Sequence, residues 1–183
     1  EGRLLPVALR LALPMVGSAL LHDLFQIVDL YFVSRLGESA VAAVTASATI
    51  VRLLWMIAVG IAMGCTALVS QSIGRGDEDA AEKVAGQSLF LALVLSAMAA
   101  AAVPAIPWAL AQLGAEPAVV AQGAQYLQVV MTGAFTILLS VTFAAALRGS
   151  GDAVTPLIVM GLANVLNIGL DWVLIFGHFG FPA

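Results

Sequence analysis

The sequence predicts an all-α fold, a polytopic transmembrane helix bundle of about five spans. Composition is the first sign: 62% of the residues are hydrophobic and only 10% are charged, against roughly half and a quarter in a soluble domain. Mean hydropathy is +1.06, so water is not the main solvent. The third sign is length. Apolar stretches recur at or above the roughly 20 residues that cross a hydrocarbon core of about 30 Å.

Glycine, proline and charge clusters punctuate the chain and place spans near 11–33, 40–70, 84–111, 118–146 and 156–176. The first follows Arg3 and Arg10 with no small-residue cleavage site, so no signal peptide is read; the chain opens on Glu1, and its ends are expected to be cut from something longer. The second and fourth are long for straight spans, which implies tilt or extension past the membrane. The third carries Pro104 and Pro107, which should bend or end it. Short connections, SRLGES (34–39), GRGDEDAAEK (74–83), LGAEP (113–117) and RGSGDAVTP (148–156), make neighbouring spans antiparallel, and GHFGFPA (177–183) reads as a loop after the fifth.

Net charge is −4 with few, scattered basic residues, which excludes the basic stripe of a nucleic-acid binder. Cys65 is the only cysteine, so an intrachain disulfide and a multi-cysteine metal site are excluded too. Arg3, Arg10, Arg75, Lys83 and Arg148 fall on the side of the N-terminus and Arg35 on the other. The excess of positive charge predicts a cytoplasmic N-terminus. Asp77, Glu78 and Asp79 sit where a helix start favours acids.

Ionisable groups at membrane depth are costly and mark ion or substrate paths. Asn164, Asn167 and Asp171 in the fifth span are spaced i, i+3, i+7, and His22, Gln26 and Asp29 in the first are spaced i, i+4, i+7. Each set occupies an arc of about 60°, with Ser18 on the same side of the first helix. Asp29 follows Pro14, and Asp171 follows Pro156, by fifteen residues, or about 22 Å of helix, so the two carboxylates should lie at similar depth. Facing one another, Asp29, Asp171, Asn167 and one of Asn164 or Gln26 would form an all-oxygen site for a monovalent cation or a shared proton.

Helix-to-helix hydrogen bonding is the plainer role for Asn164, Gln26 and Ser18. His22 is either a titratable group or a packing residue. Arg52 is either a side chain snorkelling to the outer interface or a cavity charge paired with an acid or an anionic substrate. Asp23 lies outside the stripe and has no assigned role. The scattered methionines suit lipid-facing or packing surface, or the adaptable wall of a promiscuous binder.

Three stretches, 11–44, 67–84 and 147–177, resemble the N-terminal lobe of the multidrug and toxic compound extrusion family, most specifically at VDLYFVSRLG (28–37), at the RGSGDAVTP turn and at the pair Asn167 and Asp171. The resemblance implies a twelve-helix, two-lobe antiporter that exports organic cations and other toxic compounds in exchange for Na+ or H+, with this chain as about five of its helices. It implies that Asp29, Asn167 and Asp171 form the N-lobe cation site, binding Na+ if the protein is sodium-coupled, and that Pro14 matches a proline at which the first helix bends. The sixth helix and the C-terminal lobe would be missing. On this reading the partners are the lipid bilayer, small cationic or amphipathic organic substrates and the C-terminal lobe, with no nucleic acid; no cofactor is expected beyond the coupling ion. The protein would sit in a prokaryotic cell membrane. The alternatives are a lipid-linked oligosaccharide flippase of related fold, a membrane-embedded enzyme and a non-transporting subunit.

Overall fold

A computed structural model of the chain describes residues 4–35, 38–114 and 117–175. Its helices are α1 (Leu4–Ser34), α2 (Glu38–Gly74), α3 (Glu78–Ala101), α4 (Ile106–Gln112), α5 (Pro117–Thr132), α6 (Ala134–Gly149) and α7 (Val154–Ile175), with a 3-10 turn at Val103–Ala105. Among the described residues, Ala12–Phe32, Val41–Gly74, Glu78–Ala101 and Val154–Leu174 are each long and apolar enough to cross a bilayer, and α5 with α6 makes a fifth span bent by 46°. The molecule is a multi-pass membrane protein. Arg3, parts of the 34–39 and 113–117 connections, and GHFGFPA lie outside the described residues.

Two expected spans are broken, and each break has a local cause. Pro104 and Pro107 have no amide hydrogen to donate, so α3 stops at Ala101 and the chain passes through the 3-10 turn into the short α4. The helix also starts at Glu78 rather than near 84, because Asp77 caps it by accepting from the Ala80 amide at 2.9 Å. The stretch 118–146 divides at Gly133, a poor helix former. There the Thr136 hydroxyl donates to the Gly133 carbonyl at 2.7 Å, and the Thr132 hydroxyl to the Gln128 carbonyl at 2.7 Å. Hydroxyls that satisfy loosened carbonyls let a helix bend inside a membrane.

The α2–α3 and α6–α7 turns share one construction. Gly76 (φ 73°) and Gly151 (φ 97°) take the left-handed backbone that side chains disfavour. Each is followed by an aspartate, Asp77 or Asp152, that caps the next helix.

The chain divides into two compact units, Glu1–Glu38 with Gly151–Ala183, and Ser39–Ser150. In the first, α1 packs along α7. In the second, Leu54 and Ala58 of α2, Ala92 of α3, Leu110 of α4, Leu127 of α5 and Leu138 of α6 form one core. Ala62, Cys65, Val69, Ala81 and Ala145 form another. Small residues bring α2 and α6 close: a methyl group on Gly149 would lie 2.9 Å from Val69 Cβ, and the Thr66 hydroxyl donates to the Ala145 carbonyl at 3.0 Å. Such close approach replaces the hydrophobic drive that is missing between helices in lipid. Large apolar side chains such as Phe90, Leu91, Leu93, Leu162 and Val165 remain exposed, as hydrocarbon solvent permits.

Candidate functional site

The register of α1 against α7 follows from two contacts. A methyl on Gly17 would lie 3.2 Å from Leu157 Cδ1, and one on Gly161 would lie 3.8 Å from Leu21 Cδ1. Both pairs advance together, so the helices run parallel with an offset of 140 residues. Carried along the pair, that offset sets Asp29 level with position 169, between Asn167 and Asp171. It is about 3 Å short of Asp171 at 1.5 Å per residue. The depth shared by the two carboxylates is thus close, and Asn167 enters the same layer. Gly17 and Gly161 carried no functional signal in the sequence, although small residues in apolar spans are the usual mark of close helix contact.

The protected residues of α1 include Pro14, Ser18, Leu21, Phe25, Asp29 and Phe32, and those of α7 include Leu157, Met160, Asn164, Asn167 and Asp171. Both series step by three and four, the spacing of a seam between parallel helices. Asp29, Asn167 and Asp171 therefore sit on a protected strip of each helix. Asn167 Oδ1 and Asp171 Oδ2 are buried and have no hydrogen-bond partner. Buried polar atoms are nearly always satisfied, so two unmatched acceptors in one layer stand out.

The remaining expected residues separate. Asn164 is buried, and its Nδ2 donates to the Met160 carbonyl at 2.9 Å, so its donor is turned to its own helix. Gln26 is exposed on α1, about 60° around the helix from Asp29. There its Nε2 lies 3.3 Å from His22 Nε2, and since an amide nitrogen only donates, His22 accepts through that nitrogen. Helix α1 runs through Pro14 as one helix, and Ser18 Oγ donates to the Pro14 carbonyl at 2.9 Å. Asp23 is exposed on α1, and Arg52 is exposed on α2 in the other unit. At the end of α1, Arg35 Nη2 donates to Tyr31 Oη at 2.7 Å, and its guanidinium lies over the Tyr31 ring at 5.0 Å.

No group of three His, Cys, Asp or Glu side chains that could hold a metal occurs among the described residues. The donors in the Asp29 layer are two carboxylates and an amide, a hard all-oxygen set that does not suit a thiophilic metal.

The MatE family profile matches residues 14–173. The chain belongs to the MatE family. A probable multidrug resistance protein NorM of Thermotoga maritima is 34% identical over 176 residues, covering 95% of this chain and 38% of that protein. An FAD transporter of Shewanella oneidensis is 29% identical over 177 residues, covering 96% of this chain and 39% of that one. Among solved structures, a MOP superfamily transporter from Pyrococcus furiosus, described as having a binding pocket of reverse polarity that suggests a different function, is 31% identical with a TM-score of 0.88. That match covers 95% of this chain and 39% of the other. The chain thus spans about 38% of the length of these relatives.

Proposed function

We propose that the transporter containing this chain exports small amphipathic organic compounds across a cell membrane in exchange for a cation held by Asp29, Asn167 and Asp171. The observation that carries this reading is the pair of buried, unmatched acceptors, Asn167 Oδ1 and Asp171 Oδ2, in the layer where the register of α1 against α7 sets a second carboxylate, Asp29. A carboxylic-acid proton on Asp171 can be donated to the Asn167 oxygen and so match both acceptors. A sodium ion would be coordinated by oxygens of both residues and of Asp29 at once. Three oxygen donors in one layer are a set that a sodium ion would use, so Na+ is the ion proposed, with H+ as the alternative.

Coupling requires only that the ion bind one arrangement of the helices more tightly than another. Pro14, without an amide hydrogen, supplies a place where α1 can bend cheaply, and the Asp29 layer lies on the same helix. The N-terminus is assigned to the cytoplasm by the excess of Arg and Lys on that side. The missing partner is a second lobe of the same protein. An export role rather than an enzymatic one is consistent with relatives that are themselves named as transporters or multidrug resistance proteins.

The test uses the full-length parent in proteoliposomes with a fluorescent organic cation, driven by a Na+ gradient or by a pH gradient at fixed membrane potential. Sodium-driven efflux that is lost in Asp29→Asn and Asp171→Asn with normal expression supports the assignment. Unchanged efflux in both variants overturns the site, and efflux driven by pH alone overturns the choice of ion.

A further inference from the structure

Asp23 stands exposed near the middle of a membrane span. It follows Ala12 by eleven residues and precedes Phe32 by nine, the two ends of the stretch that can cross the bilayer, so roughly 16 and 14 Å of helix lie on either side of it. Arg10 and Arg35, the nearest Lys or Arg residues in its unit, are thirteen and twelve residues away, or about 18 Å of helix and more. Helix α7 carries none. A carboxylate at that depth is costly against hydrocarbon, and such groups face a bundle interior or a water-filled space. The flank of α1 that bears Asp23 is therefore a wet one.

Asp23 is also joined to the Asp29 layer. Residues three apart on a helix are surface neighbours, with Cβ atoms about 5–6 Å apart, and rows of them form ridges. One such row on α1 reads Leu20, Asp23, Gln26, Asp29, Phe32. Its middle members are polar and its ends are apolar. Each step is about 4.5 Å along the axis and 60° around it, so Gln26 stands midway, in height and in angle, between the exposed Asp23 and the protected Asp29. Its amide is turned to suit: Nε2 donates to His22 Nε2 at 3.3 Å, a bond that leaves Oε1 unspent. Of the four residues that flank Asp29 on the surface of α1, Phe25, Gln26, Phe32 and Val33, only Gln26 is polar, and Phe32 is buried. The row thus carries oxygens from the open flank into the layer and stops there.

We infer that this ridge is the route by which the coupling cation enters and leaves the Asp29 layer. Asp23 draws the cation from water at mid-span, the Gln26 oxygen receives it on the way, and Asp29 takes it into the site. Carboxylate and amide oxygens are the hard donors such an ion uses, and a fixed negative charge at a mouth raises the rate at which cations arrive. The inference rests on the cation site proposed above and adds two residues that the bound ion does not touch. A group passed on the way lowers the barrier in both directions, so its effects on entry and release cancel in the equilibrium constant. A ligand of the bound ion changes the constant itself.

The experiment uses the full-length parent in detergent with Na+ alone as the probe. Stopped-flow tryptophan fluorescence follows binding and release, with Trp172 beside Asp171 in the sequence as a native reporter, and the sodium-induced rise in thermal midpoint gives the equilibrium affinity. Asp23→Asn should slow both binding and release at least about fivefold and leave the affinity within about twofold of the parent. Asp23→Glu keeps the charge and should restore the rates; Gln26→Leu removes the oxygen and should slow them as Asp23→Asn does. Asp79→Asn removes an exposed acid of α3 and should change neither rate nor affinity. Unchanged rates in Asp23→Asn, an affinity that falls as far as the binding rate, or an equal slowing in Asp79→Asn overturns the inference. Sodium binding that survives in Asp29→Asn and Asp171→Asn, or a parent that binds no sodium, overturns the cation site and the ridge with it. Binding that is lost in those two variants while Asp23→Asn keeps the parent's rates overturns the ridge alone.

Discussion

Gly17 receives the Leu157 side chain, and this contact sets the register that brings Asp29 level with Asn167 and Asp171. A methyl on Gly17 would stand 3.2 Å from Leu157 Cδ1, the end of a flexible side chain that can move by a few tenths of an ångström. Gly17→Ala should therefore be tolerated. Gly17→Val puts two further methyls into the seam, and overpacking of this kind costs about 1–3 kcal/mol. In the full-length parent its expected result is an intact fold by circular dichroism with a weakened sodium-induced rise in thermal midpoint. An unchanged sodium response in Gly17→Val would show that the seam does not position the ion site.

The long helices, the break near Pro104 and Pro107 and the two carboxylate-bearing stripes were legible in the sequence, because each rests on a local rule: span length, a missing amide hydrogen, 100° of rotation per residue. What the sequence left open was relational. The arcs placed Gln26 close to Asp29 in angle, but the centre of the protected strip lies on the Leu21 and Phe25 side, and Gln26 falls outside it. The equal spacing from Pro14 and from Pro156 suggested one depth for Asp29 and Asp171. The actual offset is set by glycines that any apolar span could carry. The bend at Gly133 was hidden for the same reason: one glycine in an apolar run breaks a helix only where neighbouring hydroxyls, here Thr132 and Thr136, take up its loosened carbonyls.

The contact of α2 with α6 tests packing separately from transport. A methyl on Gly149 would lie 2.9 Å from Val69 Cβ and 3.0 Å from the Thr66 carbonyl oxygen, and backbone at that distance has nowhere to go. Gly149→Ala should destabilise the protein by about 1–3 kcal/mol. Thr66→Val removes a hydroxyl that donates to Ala145 and should cost less, near the average of about 0.6 kcal/mol for such bonds in membranes. Thermal unfolding in detergent, compared between the two variants, checks the order.

Asp152 gives a pH dependence at the α6–α7 turn. The Thr155 side chain, then the Thr155 and Val154 amides, hold its carboxyl below the usual carboxylate range. A folded-state value below the unfolded one means that the cap is fully stabilising at neutral pH, above the ordinary value of about 3.9. The contribution then disappears as pH falls through the lowered value. Asp152→Ala should accordingly lower the thermal midpoint at pH 7 and converge with the parent on strong acidification. A difference that stays constant with pH would mean that the aspartate acts through packing rather than through its charge.

Asn164 and Asn167 lie one turn apart on α7 and should behave differently. The Asn164 amide is spent on the Met160 carbonyl of its own helix at 2.9 Å, whereas the Asn167 oxygen is buried with no partner. If the unmatched oxygen is an ion ligand, Asn167→Ala should raise the sodium concentration for half-maximal efflux at least about tenfold, the equivalent of roughly 1.4 kcal/mol. Asn164→Ala loses a local hydrogen bond and some seam packing, and should leave that concentration within about threefold of the parent while lowering stability. Asn167→Asp separates ligation from packing, since it keeps the shape and the oxygen and adds a third anion to the layer. Its sodium requirement should fall or stay level while that of Asn167→Ala rises. Equal sodium requirements in all three variants would remove Asn167 from the site and leave Asp29 and Asp171 to hold the cation without it.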